Sequence, residues 1–162
     1  MIALTTSIPA CSASASVMPV RATSYLHTFD TAVPTTPGNA VSKVCKYEVA
    51  RTGITEAEGE QADIEVVSAI IKSSTRATYY PGAGPIWVKL VADPSTGRVL
   101  GGQIVGVEGA AKRIDVLAAC VWTGVAVDEL ALMDLSYAPP YSPVYDPLLV
   151  AARAAAKVVE AG

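Results

Sequence analysis

The apolar pattern of this chain changes period at Gly109, and that change does most to limit its fold. Before it lie four strand-like runs: SKVCKYEVARTG at 42–53, IEVVSAIIKS at 64–73, IWVKLVAD at 86–93 and RVLGGQIVG at 98–106. The DPSTG between the last two supplies hairpin turn chemistry, so neighbouring strands are expected to run antiparallel. Thr55 and Glu58 in TEAEGEQA form a capping-box pair for a short helix after the first strand. After Gly109, Ile114, Leu117, Ala118, Val121 and Trp122 recur at i, i+3, i+4, i+7 and i+8, with Gly124 as a stop. VDELALMD predicts a shorter helix. Asp146 and Pro147 are an N-cap and first-turn pair that open a closing helix through Val159. Strands followed by helices predict an α+β fold: a small antiparallel sheet of about four to five strands with helices on one side.

That pattern begins at Asn39. Positions 1–38 carry only Arg21 and Asp30 as charges and show no sustained period, which predicts a tail or loosely held arm before a domain at 39–162. Scarce acidic residues leave organellar targeting as an alternative to the cytoplasm, although one arginine is a thin basis for a transit peptide. Apolar residues make up 51% and charged residues 17% of the 162, with mean hydropathy +0.39. Soluble monomers rarely expose large apolar patches, so this balance predicts a surface partly covered by another subunit. A net charge of −3 and no basic stripe argue against a nucleic-acid partner. No uncharged apolar run is long enough to span a bilayer, so no membrane partner is expected.

The chemistry visible in the residues is sparse. Cys11, Cys45 and Cys120 are odd in number and form no C-x-x-C, and His27 is the only histidine. These counts argue against structural disulfides, a metal site or a histidine triad; Cys45 in its strand and Cys120 in its helix read as small buried hydrophobes. No glycine-rich phosphate loop or nucleophile elbow is present, and the glycines of GGQIVGVEG read as close backbone packing. Asp128 and Glu129 suit the start of their helix. Lys112 and Arg113, by contrast, oppose a helix's positive end, which predicts a carboxylate nearby: Asp115 and Glu108 within the chain, or an intersubunit partner.

Two stretches combine stiffness with phenols. DLSYAPPYSPVYDP at 134–147 holds four prolines and three tyrosines between helices, and Tyr79 and Tyr80 precede Pro81 and Gly82 in a strand-to-strand turn. Tyrosines beside prolines are commonly packing residues with a wet hydroxyl. A loop held to one path also places a hydroxyl accurately, so both readings stand on the residues alone.

Taken in order, KVCKYEVARTGITE, RATYYPGAGPIWVKLV, TGRVLGGQIVGVEGAAKRIDVLA and LSYAPPYSPVYDPLLVAA resemble the C-terminal dimerisation domain of the FAD-dependent pyridine nucleotide-disulfide oxidoreductases, on the branch of coenzyme A disulfide reductases, NADH oxidases and NADH peroxidases. The resemblance runs from about Asn39 to the C-terminus. It implies a dimerisation and substrate-site module, detached here from its FAD and NAD domains, with no cofactor held by this chain alone and FAD and NAD(P)H in the intact family. It further implies a homodimer in which Tyr137 and Tyr79, with Tyr80 as alternate to the latter, face the partner's redox cysteine. Lys112, Arg113, Leu117, Trp122, Pro139 and Pro140 are the expected interface, carried mainly by the helices at 109–123 and 146–159. The alternative is a structural protein that dimerises alone or docks on an intact family member.

Overall fold

The structure is a computed structural model that describes residues 38–161. Of the expected arm at 1–38, residues 1–37, with Cys11 and His27, lie outside the described residues. Five strands, β1 (Ala40–Val44), β2 (Tyr47–Gly53), β3 (Val67–Ser74), β4 (Pro85–Ala92) and β5 (Val99–Gly106), form one sheet in the order β1-β2-β5-β4-β3. Every pairing is antiparallel. The helices are α1 (Glu56–Gln61), α2 (Ala110–Thr123), α3 (Val127–Ala131) and α4 (Pro147–Ala161).

The α+β expectation holds, and its local signals work as chemistry predicts. Thr55 and Glu58 close a capping box at α1. Asp93 Oδ1 accepts from the Ser95 and Thr96 amides at 2.7 and 3.1 Å, turning β4 into β5. Gly124 ends α2 in the left-handed region with φ 69°, and Asp146 Oδ1 accepts from the Leu148 amide at 2.9 Å to cap α4. Glu129 accepts from the Ala126 amide, so the acidic opening of α3 is structural.

One face of the sheet builds the core. Val88 pairs with Ile104, which pairs with Ala50, and all three point at α2 and α4. From α2 come Ile114, Leu117 and Cys120; from α4, Leu148, Ala151, Ala152 and Ala155. Each Leu or Ile so withdrawn contributes roughly 1.5–3 kcal/mol relative to exposure. Close approach requires Gly101, where an added Cβ would collide with the Ile54 carbonyl, and this is the backbone packing expected of GGQIVGVEG. The short α1 reaches the opposite face: Glu56 bonds Lys89 and Ser68, whose positions alternate with core residues of β4 and β3.

Four expectations are corrected. The run at 42–53 is not one strand but a tight hairpin, β1 and β2, with Val44 opposite Tyr47. Cys45 is therefore not a buried strand residue; it sits exposed in the turn at φ 54°. Leu117 is fully buried against the sheet, so its side chain is not available to a second subunit. Trp122 is 75% exposed and does not share the core stripe. Eight residues at 100° each carry it about 80° round from Ile114, away from the side of Leu117 and Cys120.

Candidate functional site

The two proline–tyrosine stretches meet at one end of the sheet. The first, between β3 and β4, is closed at its base by Thr75: its amide donates to the Gly84 carbonyl at 2.8 Å and its hydroxyl accepts from the Gly84 amide at 3.1 Å. Inside it Tyr80 N donates to Ala77 O at 2.9 Å, and Gly82 turns at φ 80°. Arg76 braces the turn, pairing with Glu108 while reaching the Pro81 carbonyl at 3.5 Å. Its Nε is buried without a hydrogen-bond partner.

The second stretch joins α3 to α4 and is tied down along its length. Tyr141 and Ser142 amides both donate to the Ala138 carbonyl, and Ser142 Oγ donates to Asp146 Oδ2 at 3.1 Å. The Arg153 guanidinium lies 4.5 Å over the Tyr145 ring. A backbone bond joins the two stretches directly, from Ala77 N to Pro139 O at 3.2 Å.

This junction brings Tyr79 and Tyr137 together on the surface. The neighbouring Tyr79 side chain is the main cause that holds the Tyr137 phenol above its ordinary pKa, with desolvation adding to it. Raised in this direction, Tyr137 remains protonated at neutral pH and can donate. The two phenols are 76% and 47% exposed respectively, while Tyr80 is more covered and Tyr141 stands out beside them. An open cleft of about 540 Å3 has Arg76, Lys112, Pro140 and Tyr141 in its lining; neither Tyr79 nor Tyr137 is part of it.

Lys112 and Arg113 differ in fate. Lys112 pairs with Asp115 at 2.7 Å on the surface, and the link raises its pKa. Arg113 is not an exposed interface cation, because its partner is Asp146 at 2.9 Å with both side chains 11% exposed. Neither Asp115 nor Glu108 pairs with Arg113. The carboxylate that answers the positive end of α2 is Glu48, which accepts from the Ala110 and Ala111 amides at 2.9 and 3.3 Å. Glu48, Arg76 and the Asp146 partnership escaped the sequence reading; the misplaced cations at 112–113 were the one visible sign of a distant carboxylate.

The described sheet is wholly antiparallel, and the glycine-bearing turn that leads from β5 into α2 has its helix amides occupied by Glu48. Among the described residues no cluster of His, Cys, Asp or Glu could hold a metal, and no helix is long and apolar enough to cross a membrane.

A five-stranded antiparallel sheet backed by two long helices is the architecture of the dimerisation domain of the pyridine nucleotide-disulphide oxidoreductases. The chain belongs to the pyridine nucleotide-disulphide oxidoreductases: residues 40–148 match the dimerisation domain of that family, whose members depend on FAD and NAD(P)H. It is 46% identical over 116 residues to the NAD(P)H coenzyme A polysulfide/persulfide reductase of Pyrococcus horikoshii, covering 72% of this chain and 26% of that protein. It is 41% identical over 119 residues to the NADH oxidase of Methanocaldococcus jannaschii, covering 74% and 26%. Among solved structures, the NAD-dependent persulfide reductase of A. fulgidus superposes with TM-score 0.75 at 38% identity, covering 79% and 24%. The chain thus spans about a quarter of the length of the relatives it matches.

Proposed function

We propose that this domain dimerises and completes the substrate site of a flavin-dependent NAD(P)H disulfide or persulfide reductase, or of an NADH oxidase, working with FAD and NAD(P)H domains. In the dimer, Tyr137 and Tyr79 of one copy serve the redox cysteine of the other. The single observation that carries this reading is that these two exposed phenols stand on two loops bound tightly to the fold and joined to each other by the bond from Ala77 N to Pro139 O.

The chemistry assigned to the pair is donation. Tyr137 keeps its proton at neutral pH, so it can donate to a thiolate or to the sulfur that leaves as a disulfide is cleaved. Tyr79 orients that phenol and can share the duty. Pro139 and Pro140 are the central residues of a turn closed by the Tyr141 amide on the Ala138 carbonyl, and a hydroxyl beside a turn fixed in this way loses little freedom when substrate arrives. Lys112, Trp122, Pro139 and Pro140 remain interface residues in this proposal. The exposed aromatic surface from Tyr141 to Tyr145 extends the face that the second copy would cover.

The test joins this domain to the FAD and NAD(P)H domains of a close relative. Tyr137→Phe and Tyr79→Phe should each slow turnover, and the pair together by about 10²-fold, the scale for losing the main donor to developing charge. Flavin content and dimer mass should not change. Parental turnover in the double variant would make the phenols packing residues.

A further inference from the structure

Arg113 is drawn into the molecule at the point where four segments converge. Its Nε donates to Asp146 Oδ2 at 2.9 Å, at the start of α4. One terminal nitrogen donates to two carbonyls at 3.1 Å: Thr75 O, where the first tyrosine turn leaves β3, and Tyr141 O, in the proline-stiffened stretch. The other lies 3.5 Å from Gly109 O, at the start of its own helix. A guanidinium suits this position because its donors form a rigid planar fork, whereas an ammonium is a compact point charge on a flexible stem.

Both carbonyls belong to the loops that carry the phenols. Thr75 is four residues before Tyr79, and Tyr141 four after Tyr137. Besides the Ala77–Pro139 bond, the shared nitrogen of Arg113 is a second link between those loops. The contacts are internal, since the Arg113 side chain is 11% exposed and its hydrogen bonds go to Asp146 and to carbonyls, not to either phenol.

We propose that Arg113 is the positioning residue of the two tyrosines: by bonding one carbonyl from each loop, it sets how the loops that carry Tyr79 and Tyr137 sit against each other. The proposal rests on the reading of that pair as the working site, but the contact it governs can be measured without turnover. Asp146 serves this arrangement by holding the guanidinium at its Nε edge, which turns the terminal nitrogens toward the loops. The charge is secondary to the fork.

Arg113→Lys separates the two. Lysine keeps the charge beside Asp146 and cannot reproduce the fork across both loops. In the 162-residue chain carrying 13C-labelled tyrosine, the ionisation of Tyr137 is followed by its ring-carbon shift and assigned with Tyr137→Phe. Tyr79→Phe is the reference for complete loss of the contact and should lower the Tyr137 pKa toward the ordinary phenol value. Arg113→Lys should lower it by the same amount, and adding Tyr79→Phe to Arg113→Lys should lower it no further. Loss of stability alone would not move this readout. Should Arg113→Lys fail to fold, Arg113→Gln with Asp146→Asn leaves no buried charge unpaired and should give the same fall. A Tyr137 pKa that remains raised in the folded Arg113 variants, while Tyr79→Phe lowers it, overturns the role of Arg113 and leaves the phenol pair standing. No change in Tyr79→Phe itself would remove the pair, and the proposal with it.

Discussion

Arg113 Nε and Asp146 Oδ2 lie 2.9 Å apart in an ion pair almost wholly withdrawn from water, while the other oxygen of Asp146 caps α4. One carboxylate therefore satisfies a buried cation and starts a helix. Asp146→Ala should cost about 3–5 kcal/mol through the charge left unpaired, with the lost cap adding about 1 kcal/mol. Asp146→Asn keeps the cap and should cost measurably less. Urea unfolding of the three proteins checks the order, and equal losses for Ala and Asn would mean that the cap contributes nothing.

Two adjacent glycines in β5 should respond differently to the same added methyl. At Gly101 a Cβ meets the Ile54 carbonyl and amide, both backbone, on a segment fixed by the bond from Ile54 N to Leu100 O at 3.1 Å. At Gly102 the closest atom is Leu117 Cδ1 at 2.6 Å, the end of a side chain that can rotate. Gly101→Ala should cost about 3 kcal/mol and Gly102→Ala nearer 1 kcal/mol, the two ends of the usual range for overpacking. The comparison is made by denaturant midpoints at constant slope.

Much of this fold was legible because its signals are local. The Thr55/Glu58 box, the DPSTG turn, Gly124 and Asp146-Pro147 each act within a few residues, so their chemistry could be read in place. The β1–β2 hairpin was missed for the converse reason. Its turn residues, Cys45 and Lys46, carry none of the usual turn chemistry, and a non-glycine residue takes the positive φ. At the site, proline and tyrosine marked both loops. The atoms that join them are Arg113, Asp146 and two backbone carbonyls far apart in the chain, and no local pattern encodes such a meeting.

The acid side of the stability profile should depend on α1. Burial pulls the Glu58 pKa upward, but hydrogen bonds from Arg51 and Thr55 outweigh it and leave the group lowered. Glu56 is lowered by hydrogen bonds from Lys89 and Ser68. A carboxylate lowered in the folded state stabilises fully above its unfolded pKa, about 4.3, and loses that contribution as pH falls through the folded value. Stability should therefore fall as pH drops below about 5, and Glu58→Gln should flatten part of that fall. Thr55→Ala should cost about 1 kcal/mol at neutral pH by opening the cap. Thermal unfolding from pH 7 to 3 is the check; an unchanged acid limb in Glu58→Gln would contradict the assignment.

The central claim, that the tyrosine pair works across the dimer, is tested most directly by mixed dimers of the chimaera that joins this domain to FAD and NAD(P)H domains. One subunit lacks the redox cysteine but keeps Tyr79 and Tyr137; the other keeps the cysteine and carries Tyr79→Phe with Tyr137→Phe. Each homodimer is impaired. In the mixed dimer, a site acting in trans pairs the intact cysteine with the intact tyrosines of its partner, and disulfide turnover should return to about half the parental rate per dimer, because one of its two sites is then complete. Turnover no higher than half that of the phenylalanine homodimer would place the tyrosines beside their own subunit's cysteine, and a phenylalanine homodimer at the parental rate would place them outside the chemistry altogether; either result would contradict the account.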